Sequence, residues 1–247
     1  MRSSSFPAEV VDYGDCGLLV TFTHAGPHDR WLAGQALQSV LLARTGAGIV
    51  DVVASFDTAF VSFDLLRTDH DAVRELIAAC DLTRLAPTGS PRRFVLPVVY
   101  GGERGPDLDL VAAELSVSTE DVIAMHTTAS WTVRLRASPA GLPMMDGPAL
   151  PGSVSRNPNP RTRVPAGSVG LSGRQCVIYP VASPGGWRLI GQTPVQLLDL
   201  ADDELVAYRP GDQLQFRAVA EDDWHTWTQH RLRSEPEKAP EPGEAEG

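Results

Sequence analysis

Between Trp131 and Val219 the chain reads as a succession of short β-runs: WTVRLRA, SVGLSG, QCVIYPV, WRLIGQ, VQLLDL and QLQFRAV. Gly or Pro punctuates them at regular intervals, and such spacing argues for a β-barrel or a sandwich. The turn RPGDQL (209–214) introduces the last of these strands. No internal repeat accompanies the pattern.

The first ninety residues have a different rhythm. GLLVTF (17–22) is a short apolar strand, and Asp29 to Ala43 places Leu32, Ala36, Leu37, Val40 and Leu41 at helical spacing. Ile49–Ala54 and Thr58–Phe63 are strand-like runs joined by SFD, as in a hairpin. Asp69 caps a second helix with Val73, Leu76, Ile77 and Cys80 on one face. The order β-α-β-β-α, with RRFVLPVVY (92–100) available as a sixth element, is compatible with a ferredoxin-like α+β sandwich. PTGSP (87–91) is the candidate linker. Helices are few beyond it: Asp107–Leu115, then Ser118–His126 with a start like a capping box at Ser118 and Asp121. The division expected is an α+β domain over 1–88, a β-barrel over 89–220, and a tail over 221–247.

Several function classes are disfavoured. A length of 247 residues, 43% hydrophobic content and mean hydropathy of −0.10 describe a soluble globular chain able to bury a core. No stretch reaches the roughly 18 apolar residues of a membrane span. The opening MRSSSFPAEVVDYGD has no apolar signal region, so a cytoplasmic location and no membrane partner are expected. The net charge of −10 argues against nucleic acid. From Glu221 onward eight acidic and three basic residues carry a net −5, and SEPEKAPEPGEAEG lacks apolar anchors, which predicts a largely disordered tail. Cys16, Cys80 and Cys176 form no CxxC pair, and each is expected to be a small buried hydrophobe. The six histidines show no HExxH spacing, so no metal site is expected. No glycine-rich nucleotide loop of the GxxxxGK[ST] type occurs either.

The turn chemistry concentrates in RTRVPAGSVG (161–170) and SPGGWRLIGQTP (183–194). Gly185 and Gly186 permit close backbone approach, and Trp187 supplies a large ring with one donor. Arg161 and Arg163, two residues apart in an extended segment, fall on one face and suggest an anion cradle. The alternative is a β-hairpin with solvent-facing arginines.

Taken in order, VVYGGERGPDLDLVAAE (98–114), the helix ending in Met125-His126, PRTRVPAGSVGLSGRQCVIYP (160–180), SPGGWRLIGQTP and RPGDQLQF (209–216) resemble the family of the 5-oxoprolinase B-type subunit, also called Kip inhibitor (KipI) or allophanate hydrolase subunit 1. Gly14-Asp15 followed by LLV resembles the opening of that family, and the likeness covers roughly residues 12–218. It implies an N-terminal α+β domain and a C-terminal cyclophilin-like barrel. It also implies a C-type partner chain (KipA, or allophanate hydrolase subunit 2) and a third, A-type chain. Together these open the 5-oxo-L-proline (pyroglutamate) ring to L-glutamate with ATP, bound by the complex with magnesium and with no covalently attached cofactor. Other members inhibit a sensor histidine kinase, which stays open as the alternative, and related paired domains form the carboxyltransferase unit of urea carboxylase. Peptidyl-prolyl isomerase activity would be analogy of fold alone.

The residues this implies are His126, Arg161 and Arg163 for catalysis, with Gln175, Ser183, Gly185, Gly186, Trp187 and Thr193 for holding substrate or phosphate. His126, at a helix C-terminus, fits either a proton-transfer role or simple stabilisation of that helix end. Gln175 and Tyr179 also read as a hydrogen-bonded pair within the barrel. The chain departs from the family in two places. ASPAGLPMM (137–145) stands where the family has GFxPGFPYL, exchanging aromatic walls for methionines, and Gln192 stands where arginine is common.

Overall fold

The hairpin signals of the first ninety residues are realised as a four-stranded antiparallel sheet. The computed structural model describes residues 8–23, 26–44, 46–82, 90–147, 150–228 and 230–235. The chain divides into two compact units, Met1–Ser90 and Pro91–Gly247. The expected linker lies, up to residue 89, outside the described residues.

In the first unit β1 (Ala8–Asp12) and β2 (Gly17–Phe22) form a hairpin, followed by α1 (Pro27–Leu42), β3 (Ile49–Ala54), β4 (Thr58–Phe63) and α2 (His70–Ala78). The Asp69 carboxylate accepts from the Ala72 N–H at 2.9 Å and closes the N-terminus of α2. Strict alternation puts Leu18, Val20 and Phe22 of β2 and Ala59, Val61 and Phe63 of β4 on one face. There they share a core with Leu37 and Leu41 of α1 and Val73 and Ile77 of α2. Each fully buried Leu, Val, Ile or Phe among these stabilises the fold by about 1.5–3 kcal/mol.

The sheet order is β1-β2-β4-β3, so β1 occupies the edge beside β2. RRFVLPVVY, within the 89–220 span expected for the barrel, enters the second unit. AEVVD gives no strand signal in sequence because four of its five residues are exposed and no alternation marks it.

The second unit opens with β5 (Arg93–Tyr100), α3 (Leu108–Leu115) and α4 (Thr119–Thr128). The capping box is present: the Ser118 hydroxyl accepts from the Asp121 N–H at 3.1 Å, and the Asp121 carboxylate accepts from the Ser118 N–H at 3.2 Å. Next come β6 (Trp131–Ala137), β7 (Leu142–Asp146), β8 (Arg161–Val164), β9 (Ser168–Ser172), β10 (Gln175–Ile178), β11 (Ser183–Gly185), β12 (Arg188–Gln192) and β13 (Gln213–Ala218). Seven of these strands close a barrel in the order β10-β7-β6-β13-β5-β12-β9. Its one parallel pair, β13 with β5, runs from Gln213↔Arg93 to Ala218↔Val98. Phe94, Leu96, Val98, Trp131, Met145, Leu171, Ile178 and Phe216 fill the interior, joined by Val111, Leu115 and Val122 from the two helices. The remaining strands, β8 and β11, form a separate two-stranded ribbon.

Three expectations are corrected. VQLLDL is not a strand: it makes only the isolated bridges Gln196↔Arg231 and Leu198↔Val206, and Leu200 is 80% exposed. The segment 137–145 is not wholly a loop, because its second half is β7, hydrogen-bonded to β6 and β10. The tail is built onto this unit as far as residue 235. A 3-10 turn (Glu221–Asp223) and α5 (Trp224–Trp227) follow β13, Leu232 is buried, and the Glu235 N–H donates to the Arg93 carbonyl at 2.7 Å. Residues 236–247 lie outside the described residues. Among the described residues no helix is long and apolar enough to cross a membrane.

Candidate functional site

Arg161 opens β8 opposite Gly185 of β11, and its guanidinium is held from one side. Its Nη2 donates to Asp107 Oδ1 at 2.8 Å, while Asp107 Oδ2 accepts from the Leu189 N–H at 2.8 Å. The Asp107 side chain is only 5% exposed, so this carboxylate is spent on positioning the arginine and tying α3 to β12. The Nη1 of Arg161 is buried with no acceptor among the described residues. A desolvated donor of this kind carries a penalty of about 1–3 kcal/mol until a partner arrives.

Tyr179, which follows β10, places its phenol under the β11 turn. A Cβ on Gly185 would stand 2.2 Å from the Tyr179 oxygen, so only glycine lets the turn close over it. Burial raises the Tyr179 pKa above its ordinary value, and this is partly offset by a hydrogen bond with the Trp187 backbone and by the charges of Arg156 and Arg161. Both guanidiniums are thus neighbours of the phenol. The Arg156 Nη2 and Nε lie 3.5 and 3.6 Å from where a Gly186 Cβ would be. Trp187 and Met144 flank an apolar cluster of Leu142, Val164, Val177, Tyr179 and Leu189. The segment that departs from the family pattern therefore packs, through Leu142 and Met144, around the same tyrosine.

The other expected site residues separate into groups. Gly185 pairs with Arg161 across the ribbon, Gly186 lies beside Arg156, and Trp187 packs against the cluster around Tyr179. Ser183 is on the same ribbon, opposite Val164, and its hydroxyl is buried without a partner among the described residues. Arg163 is exposed, and among the described residues no ion pair or hydrogen bond engages its side chain. Thr193 is 2% exposed and engaged in backbone bonding: its N–H donates to the Gly167 carbonyl at 2.9 Å and its hydroxyl accepts from the Val195 N–H at 3.2 Å. Gln175 sits half-buried at the start of β10, opposite Asp146 and Ser172. Four residues of extended chain span roughly 13 Å, so Gln175 and Tyr179 are not the hydrogen-bonded pair expected.

His126 is a core residue. It is 1% exposed, its Nδ1 lies 2.7 Å from the Tyr100 hydroxyl, its Nε2 lies 3.4 Å from Cys176 Sγ, and its ring stacks on Phe216 at 4.2 Å. Burial lowers its pKa to about 3 and raises that of the Cys176 thiol, so the pair is neutral near pH 7. Both nitrogens are engaged inside the barrel, which favours the structural of the two roles open to His126 over proton transfer. Cys16, expected to be buried, is exposed.

A second feature lies around Arg104. Its Nη1 donates to Gln192 Oε1 at 2.9 Å, its Nη2 pairs with Glu221 at 3.0 Å, and its guanidinium stacks on Trp224 at 3.6 Å. Gln192 in turn donates to the Ala166 carbonyl at 2.6 Å. The glutamine that replaces the family's common arginine thus serves as acceptor for a neighbouring arginine. Tyr100, Gly101, Gly102, Arg104 and Glu221 line a cavity of about 550 Å³ beside it. Among the described residues no group of three or more His, Cys, Asp or Glu is placed to hold a metal ion.

Sequence reading missed Asp107 and Arg156. Asp107 read as the start of a helix, and its bond to a residue 54 positions away exists only in the folded chain. Arg156 sits in the polar stretch SRNPNP, which resembles any surface loop.

Residues 8–207 match the family described as carboxyltransferase domain, subdomain C and D. The chain is 40% identical over 137 residues to the 5-oxoprolinase B-type subunit of Bacillus subtilis (strain 168), a match covering 55% of this chain and 57% of that one. To the 5-oxoprolinase B-type subunit of Escherichia coli O157:H7 it is 43% identical over 125 residues, covering 50% and 57%. The matched stretch thus spans little more than half the length of these relatives. Among solved structures, TTHA0988 superposes with a TM-score of 0.70 at 29% identity, over 83% of this chain and 40% of that one. The family match starts at β1 and runs through both units, and on that ground the chain belongs to the carboxyltransferase domain, subdomain C and D family, within which it is similar to the B-type subunit of 5-oxoprolinase.

Proposed function

We propose that the chain is the B-type component of a multi-chain enzyme that opens 5-oxo-L-proline to L-glutamate at the expense of ATP. One observation supports this most directly: Arg161, braced by Asp107, keeps a buried N–H without an acceptor beneath a glycine turn, in a chain similar to the B-type subunit of 5-oxoprolinase. A lactam is a stable amide, and opening it calls for activation of the carbonyl, for example by phosphorylation of its oxygen. Such transfer depends on positioning and on charge stabilisation. Arginine with fixed geometry serves both, since its fork matches a carboxylate or a phosphate.

In this reading the chain holds the anionic group of the substrate or of its activated form. The nucleotide and its magnesium belong to the assembled complex, completed by C-type and A-type chains in the cytoplasm. No step is assigned to a metal on this chain.

The test is co-expression with a C-type and an A-type chain, followed by an assay of 5-oxoproline-dependent ATP hydrolysis. The complex is expected to turn over and the purified chain to be silent. A stable complex with no 5-oxoproline-dependent hydrolysis overturns the reading. Inhibition of a sensor kinase by the chain alone, without any such hydrolysis, supports the regulatory alternative instead.

A further inference from the structure

We propose that Arg156 is the second arm of a clamp that, with Arg161, holds one small ligand through a carboxylate or phosphate group over the Tyr179 hydroxyl.

The segment carrying Arg156 is fixed in place from four sides. Val154 bridges Gly173, the Ser155 N–H donates to Glu114 Oε1 at 2.9 Å, Arg188 Nε donates to the Ser155 carbonyl at 3.2 Å, and the Asn157 N–H donates to the Gly186 carbonyl at 2.8 Å. These contacts fix the backbone at this position, so on binding only the exposed Arg156 side chain has to be ordered. Its own guanidinium, by contrast, has no acceptor among the described residues. Arg161 is the mirror case, with one edge fixed by Asp107 and the other offering a buried, unpaired Nη1.

Charge defines the ligand class. Arg156, Arg161 and Arg188 against the Asp107 and Glu114 carboxylates leave a single surplus positive charge at the turn, which suits a compact anion. Trp187, Met144 and Leu142 add an apolar flank for a small ring or short carbon skeleton. Arg156 and Arg163 are both exposed, but among the described residues only the Arg156 guanidinium is placed beside Gly186 and the Tyr179 phenol, so Arg163 has no part in this. Naming 5-oxoproline as one such ligand rests on the proposed function; the clamp itself does not.

The experiment is calorimetric titration of the full chain with 5-oxo-L-proline and, separately, with inorganic phosphate, using pyrrolidin-2-one as the lactam without a carboxylate. Saturable binding of at least one anion is expected, with none for pyrrolidin-2-one. Arg156→Gln is expected to weaken binding by about tenfold or more, because hydrogen bonds to charged groups are lost. Its melting temperature should stay that of the wild type, because among the described residues the Arg156 side chain makes no hydrogen bond or ion pair. Saturation by 5-oxoproline identifies the carboxylate source, and saturation by phosphate alone identifies a phosphorylated ligand; both support the clamp. No saturation by either anion at tens of millimolar, or unchanged affinity in Arg156→Gln, overturns it. Hydrolysis by the assembled complex tests the reaction separately, so the two failures are distinguishable.

Discussion

The Tyr100 hydroxyl and His126 Nδ1 lie 2.7 Å apart inside the barrel, while Tyr100 also lines the cavity beside Arg104. The phenol therefore stands between the cavity and the imidazole, which is sealed against Phe216 and Trp131.

Burial puts the folded-state pKa of His126 at about 3, below the unfolded value of about 6.5. As pH falls, the unfolded chain takes up the proton first. The contribution of His126 to stability is complete above about pH 6.5 and declines between about 6.5 and 3, at up to about 1.4 kcal/mol per pH unit. A ring-proton NMR titration is expected to show no His126 transition between about pH 5 and 8. A midpoint near the ordinary value would show an accessible histidine and restore it as a catalytic candidate.

Asp212 is 1% exposed and organises the turn before β13. Its carboxylate accepts from the backbone N–H groups of Arg92 at 3.0 Å and Arg209 at 2.9 Å, and from Arg92 Nη2 at 2.7 Å. Asp212→Ala leaves two backbone donors to find water at the start of the parallel β5–β13 pair. The expected loss is about 2–4 kcal/mol, seen as a fall of several degrees in melting temperature. A melting curve identical to the wild type would mean that this turn closes without its carboxylate.

Arg104 tethers the C-terminal segment through the stack on Trp224 and the pair with Glu221. The exposed ion pair contributes little, so the stacked ring and the Gln192 bond are the stronger ties. Arg104→Ala should open new protease cleavage between 221 and 228 while leaving the barrel intact. In the wild type, the stretch 221–228 should resist cleavage. Equal cleavage patterns in the two proteins would show that Arg104 is not the tether.

Much of the fold is legible in sequence because its strands are short, β-branched and bounded by Gly or Pro. IVDVVA, TAFVSF and WTVRLRA coincide with β3, β4 and β6 at both ends. The missed strands lack that local mark. β7 hides behind the Pro-Ala-Gly turn of ASPAGLPMM, and β11 is a three-residue piece that exists as a strand only by pairing with β8, the segment read as extended around Arg161 and Arg163. The site divides likewise. Arg161 is visible from the turn chemistry around it, but its brace Asp107 and its counterpart Arg156 are not, because what joins them is tertiary. Two-residue spacing places Arg163 beside Arg161, yet β8 is four residues long and its pairing shifts register between Ser183 and Gly185, so alternation does not carry along it.

That difference between the two arginines is measurable without any ligand. Removing Arg161 leaves the nearly buried Asp107 carboxylate with the Leu189 N–H as its remaining partner. Arg161→Gln is therefore expected to cost about 1–3 kcal/mol, since Asp107 keeps the Leu189 N–H and Arg161 is itself partly exposed. Arg161→Lys keeps the charge beside Asp107 and should cost less, yet it lacks the second edge that Nη1 provides and should bind anions poorly. Arg163→Gln should leave the melting temperature unchanged, since nothing among the described residues leans on that side chain. Melting curves of the three variants side by side decide the matter. If Arg163→Gln falls as far as Arg161→Gln, the two arginines act as the pair that their spacing suggests, and the assignment of the clamp to Arg156 and Arg161 loses its structural basis.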